Sequence, residues 1–170
     1  MTIDISPVTT SKVSSLDFSC SYEDGSSSVF EDCIFGARIV SCVAVAGRLS
    51  DNGGCITLKM SVRFDYEGEC ARCLDRVGGS FSSEIERTLR EASESADDGA
   101  EEYVPVNDGM LELDDIICEE LLLAFPSKLL CSEDCPGICP RCGKKKNGEC
   151  VCTGKEIDPR LKILEQLLEK

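Results

Sequence analysis

"ITLKMSVRFDYEGECARCLDRVGGSFSSEIERTLR", residues 56–90, decides how this chain folds. Ile56, Leu58, Met60, Val62, Phe64 and Tyr66 alternate with Thr57, Lys59, Ser61, Arg63 and Asp65. A strict period of two marks a strand with one face buried and one wet. After "CARC" a second alternation sets Phe81, Ile85 and Leu89 against Ser82, Glu84, Glu86 and Thr88. The two strands flank "CARCLDRVGG", so Cys70 and Cys73 are expected at or near the tip of a β-hairpin.

Outward from the hairpin the signals vary in strength. Before it, "ARIVSCVAVAGRL" (37–49) is rich in small and β-branched residues, and "DNGG" (51–54) reads as a turn because Asn and Gly tolerate positive φ. Residues 1–33 are rich in Ser, Thr and Asp; Val13, Leu16 and Phe18 suggest one short strand there. After the hairpin, "EASESADDGAEE" (91–102) reads as an acidic solvated loop, lacking the glycine and ligand order of a calcium loop. "YVPV" (103–106) and "DGMLEL" (108–113) read as short strands around a turn. Leu113, Ile116, Ile117, Leu121 and Ala124 then share one helical face, with Asp114 and Asp115 at the N-terminus and Pro126 as the stop. Glu119 and Glu120 are expected in solvent. "DPRLKILEQLLEK" (158–170) opens with an N-cap Asp158 and Pro159, and it carries Leu161, Leu164 and Leu168 as an apolar stripe.

These readings divide the chain into four parts. Residues 1–33 are a weakly structured N-terminal segment; 34–130 an α+β core with the CxxC hairpin; 131–155 a Cys-rich segment; 156–170 a terminal helix. The expected fold is α+β: an antiparallel β-sheet, with a barrel-like form allowed, and one packed helix. A small Cys-rich tail and the terminal helix complete it.

Composition limits the chemistry. The 170 residues are 42% apolar, enough for a core, and they include 13 Cys but no His. The formal charge is −14, unevenly spread. Residues 84–120 carry fourteen acidic and two basic side chains, a local −12, whereas 139–170 carry eight basic and five acidic, a local +3. Phosphate is repelled by such a chain, so broad nucleic-acid binding is disfavoured and basic proteins are the easier partners. Direct RNA contact, if made, falls to Lys144, Lys145 and Lys146. The opening "MTIDISPVTT" has neither the charged nor the apolar region of an export signal, and no apolar run reaches the roughly eighteen residues of a membrane span. Many cysteines without such a signal suit a reducing compartment, so a cytoplasmic protein with no membrane partner is expected.

The cysteines carry the chemistry. "CPRCG" places Cys139 and Cys142 on a tight turn that can aim two sulfurs at one ion, and "CVC" adds Cys150 and Cys152. Together they make a compact four-thiolate zinc site. Cys131 and Cys135 remain, as do Cys70 and Cys73; two plus two makes a second such site, tying the hairpin tip to the chain leaving the helix. Spacing alone does not assign pairs to ions, and one zinc with four inert or exchanged cysteines competes. Three other chemistries fit less well. The C-x3-C-x2-C run of Cys135, Cys139 and Cys142 matches the cluster spacing of radical enzymes using S-adenosylmethionine, but those need a larger α/β barrel. An iron–sulfur site in general is a further option. A redox dithiol at "CARC" would want a helix N-terminus, and strands flank it instead. Cys42 and Cys118 lie in apolar segments and are expected as buried small hydrophobes. No set of nucleophile and base stands out, and four-thiolate zinc sites with no open position are structural.

The ordered set "GECARCL", "LELDDIICEELLLAFPSKLLC", "CPGICPRCGKKKNGECVC" and "DPRLKILEQLL" resembles the YceD-like family of bacterial and plastid proteins, over roughly residues 35–168. That family is linked to accumulation of large-subunit (23S) ribosomal RNA. Its C-x2-C falls on Cys70 and Cys73, its positions after the helix on Cys131 and Cys135, and its Cys-rich tail on Cys139, Cys142, Cys150 and Cys152. The resemblance implies a non-catalytic ribosome-biogenesis factor acting on synthesis, processing or stability of that RNA. Its partners would be basic ribosomal proteins or large-subunit assembly intermediates. A zinc-stabilised interaction adaptor unrelated to ribosomes is the alternative, and a thiol oxidoreductase a third.

Overall fold

A computed structural model of the chain describes residues 1–10, 12–23, 27–53, 55–91, 103–146 and 150–152. In chain order the elements are β1 (Thr2–Asp4), α1 (Ser6–Thr9), β2 (Ser15–Tyr22) and a 3₁₀ helix (Ser27–Cys33), then β3 (Ala37–Ile39), β4 (Val43–Asp51), β5 (Ile56–Glu69) and β6 (Arg76–Glu91). β7 (Tyr103–Val106), β8 (Met110–Glu112) and α2 (Leu113–Ala124) follow. The terminal helix expected over 156–170 lies outside the described residues, as does nearly all of the acidic loop over 91–102.

The β5–β6 hairpin is the spine. It pairs antiparallel from Ile56↔Leu89 to Glu69↔Arg76, so alternate residues of both strands face one side. On that side Leu58, Met60, Val62, Phe64, Ile85 and Leu89 are all buried, and between them Lys59, Arg63 and Asp65 are exposed. The sheet order is β2-β4-β5-β6-β7, with β3 also pairing β5. It does not close into a barrel: among the described residues the outer strands β2 and β7 do not pair with each other. One pairing departs from the antiparallel rule. β7 lies parallel to β6, from Thr88↔Tyr103 to Glu91↔Val106.

The N-terminal residues contribute more than one short strand. β2 runs antiparallel to β4 over its full length, and β1 pairs β8 as a separate two-stranded sheet. Leu16 and Phe18 lie on β2, but Val13 precedes the strand and is exposed.

α2 covers the buried face. Its Leu113, Ile116, Ile117 and Leu121 are buried, but Ala124 is exposed, and Phe125 takes the next inward place. Phe125 is extended (φ −71°, ψ 137°), as the residue before Pro126 must be, and its ring packs on Phe64, Tyr66 and Phe81. Glu120 is not in solvent. Ser83 and Arg87 occupy inward positions of β6, and Glu120 meets both: Ser83 Oγ donates to it at 2.6 Å and the Arg87 guanidinium lies 3.5 Å away. A polar seam therefore runs between strand and helix, with each member partnered.

Candidate metal centres

The hairpin tip positions the first group. Beyond Glu69 the chain turns tightly: the Leu74 N–H donates to Cys70 O at 2.9 Å, and Leu74 takes a positive φ of 62°. The Cys70 N–H donates to Asp75 O, closing the turn. The chain after α2 returns alongside, where the Ala71 N–H donates to Leu129 O at 2.8 Å. Arg72 then fastens the following segment. Its guanidinium donates to the carbonyls of Glu133 and Cys135 at 2.9 and 3.0 Å, and its own carbonyl accepts from the Ile138 N–H at 2.9 Å.

The result is a cluster of four sulfurs. Sγ of Cys70 lies 3.8 Å from that of Cys135, Sγ of Cys73 lies 3.6 Å from that of Cys131, and all four fall within 4.8 Å of one another. Cys70, Cys73 and Cys135 are buried, and Cys131 is exposed. A single ion bound to sulfur at about 2.3 Å gives a tetrahedron with edges of about 3.8 Å. A cluster of several irons would hold its thiolates further apart.

Four further sulfurs, on Cys139, Cys142, Cys150 and Cys152, form the second group under the same 4.8 Å limit, with 3.7 Å between Cys142 and Cys150. The Gly143 N–H donates to Cys139 O at 2.9 Å, which closes the Cys139–Cys142 turn, and the Cys139 N–H donates to Lys144 O at 2.7 Å. Here only Cys139 is buried. The two groups are neighbours. Ile138 bridges Lys145, the Lys146 N–H donates to Gly137 O, and the Lys145 ammonium pairs with Asp75 beside the first group. Lys145 is thus engaged with the protein, whereas Lys144 and Lys146 are exposed.

The electrostatics of both groups favour a cation. Burial raises the Cys70 thiol, but the N–H groups of Cys131, Arg72 and Cys73 outweigh it and bring it down to about 6. The N–H groups of Cys142 and Arg141 likewise bring Cys139 down to about 6. Their neighbours move the other way. The Asp75 N–H draws Cys73 down, yet burial and the three surrounding sulfurs leave it well above the ordinary thiol range. Cys142 and Cys150 push Cys152 up to about 12. One thiolate in each set forms readily and then opposes the next, the repulsion a divalent ion removes.

Asp75, Arg72 and Gly137 were not singled out in the sequence, although Arg72 lies inside the C-x2-C pair and Asp75 two residues beyond it. The remaining cysteines are scattered. Cys42 is exposed rather than buried, Cys118 is half-buried on α2, and Cys33 is buried. Cys42 falls in the break between β3 and β4, where the alternation that would have buried it is interrupted.

Among the described residues, an open, mostly antiparallel sheet covered by α2, with one four-sulfur group at the hairpin tip and a second just beyond it, defines an α+β protein with two candidate metal centres. The chain belongs to the family of the large ribosomal RNA subunit accumulation protein YceD, whose pattern it matches over residues 58–168. It is also similar to an uncharacterized protein of Mycobacterium bovis and to two of Mycobacterium tuberculosis. Each is 33% identical over 103 residues, covering 59% of this chain and 50% of the relative. The chain therefore spans about half the length of the curated relatives it matches. No solved structure matches it significantly. No helix among the described residues is long and apolar enough to cross a membrane.

Proposed function

We propose that this protein is a non-catalytic, cytoplasmic factor that supports synthesis, processing or stability of large-subunit (23S) ribosomal RNA. It acts by binding, on a scaffold held by two structural zinc ions. The observation that carries the reading is the pair of closed four-sulfur groups in a member of this family. Cys70, Cys73, Cys131 and Cys135 would hold one ion, and Cys139, Cys142, Cys150 and Cys152 the other. Bound there, zinc supplies a +2 charge that neutralises crowded thiolates and ties chain segments together, with no site left open for water. Soft thiolates and the single-ion edge lengths favour zinc over an iron–sulfur cluster.

With a net charge of −14, the protein favours basic partners: ribosomal proteins or large-subunit assembly intermediates. Lys144 and Lys146 are exposed cations of the knuckle loop and, with Lys145, the place for any RNA contact. Depletion should lower large-subunit RNA relative to small-subunit RNA; an unchanged ratio overturns the reading. Capture at low and high salt separates it from a general adaptor, because basic ribosomal partners should be lost as salt rises.

A further inference from the structure

The two sulfur groups differ in one respect that matters chemically. In the inner group three sulfurs are sealed: Cys70 is 0% exposed, Cys135 4% and Cys73 6%. That group also closes a long stretch of chain, since Cys70 and Cys135 are 65 positions apart. In the outer group Cys142 and Cys152 are exposed, Cys150 is half-buried and only Cys139 is covered. Its ligands all come from one short stretch, so little of the fold depends on them.

We propose that the outer group is a thiol-oxidation site at which hydrogen peroxide releases the metal, while the inner group keeps its ion. The reacting pair is Cys142 and Cys150, whose sulfurs lie 3.7 Å apart and within reach of solvent. Thiolates are the nucleophiles in such oxidations, and accessibility selects among them. The two thiolates give up two electrons and join in an S–S bond. The peroxide O–O bond breaks, and the peroxide takes those electrons with two protons from water and leaves as two water molecules. Cys139 and Cys152 alone cannot hold the ion, which departs. In the inner group only Cys131 is exposed, and its near neighbour Cys73 at 3.6 Å is buried in the hairpin tip, so the same pairing should need more peroxide. Exposed Cys42 and Cys55 also meet peroxide, but neither belongs to a four-sulfur group, so their oxidation frees no metal.

This rests on the two-zinc reading, and the experiment separates the two. Full-length protein is analysed for zinc, then titrated with hydrogen peroxide while a zinc-binding dye reports release and alkylation mass spectrometry maps the thiols. The expected result is two ions at the start and one released at low peroxide. A Cys142–Cys150 disulfide should accompany the release, with Cys70, Cys73 and Cys135 still reduced. Dithiol and zinc should restore the second ion. Cys142→Ser should carry one ion and lose the low-peroxide phase, whereas Cys55→Ser, at an exposed cysteine outside both groups, should carry two ions and keep that phase. Release of both ions together, or release that tracks oxidation of Cys70 or Cys73, overturns the inference. Fewer than two ions at the start overturns the zinc reading and the inference with it.

Discussion

Gly137 shows how closely the inner knuckle is fitted. Its φ is +73°, and a Cβ there would stand 2.9 Å from the Arg72 carbonyl oxygen. Gly53 offers the internal control, since it has φ +75° and open space around the same position. Both Ala variants meet the left-handed penalty of roughly 1–2 kcal/mol. Gly137→Ala should lower the thermal midpoint more than Gly53→Ala and speed zinc loss to a chelator; equal effects would mean the Arg72 contact is slack. Charge pairs separate in the same way. Glu120 answers two inward groups of β6 with its side chain 16% exposed, so Glu120→Ala should cost about 1–3 kcal/mol by leaving Ser83 and Arg87 without it. The Lys145–Asp75 pair is 40% and 46% exposed, and Lys145→Ala should change stability by only about 0–1 kcal/mol. Urea midpoints of the two variants decide the order.

Among the elements, β5 is held on both sides, by β4 and β3 along one edge and by β6 along the other. Its amides from Leu58 to Phe64 should exchange with deuterium most slowly, and those of the outer strands β2 and β7 faster. Slower exchange in β2 than in β5 would contradict this order. The same strand explains what could be read in advance. Alternation is local, so β5, β6 and the Cys70–Cys73 tip were legible in advance, as was the apolar face of α2 from Leu113 to Leu121 though not its end, where Phe125 rather than Ala124 turns inward. The gathering of Cys131 and Cys135 beside that tip was open to counting, because four-sulfur sets need complete pairs. Partners far along the chain were not legible. Nothing local in "YVPV" distinguishes a parallel neighbour of β6 from an antiparallel one, and nothing in Thr2–Asp4 names β8. Ser83 and Arg87 broke the apolar pattern of β6 for a reason visible only once Glu120 is placed over them. Lys145 reads as a free cation until the fold brings Asp75 to it.

For the whole molecule, a charge of −14 opposes compaction. Raising salt from about 0.01 M to 0.15 M shortens the screening length from about 30 Å to about 8 Å, so the thermal midpoint should rise across that range. A falling midpoint would mean that the ion pairs on the sheet outweigh self-repulsion. The inner knuckle has a consequence of a different kind, because its two halves are separated in time during synthesis. Cys73 precedes Cys131 by 58 positions and Cys70 precedes Cys135 by 65. At translation speeds of 5–20 residues per second, the hairpin tip waits roughly 3–13 s for its counterpart. Throughout that interval a nascent chain displays half a coordination shell, and a metal ion caught there is free to recruit the matching half from another copy. The outer knuckle has no such delay: its ligands are made in quick succession, so each copy completes its own. Crowded polysomes and early metal therefore endanger the buried centre of this protein, while the exposed one assembles without that hazard.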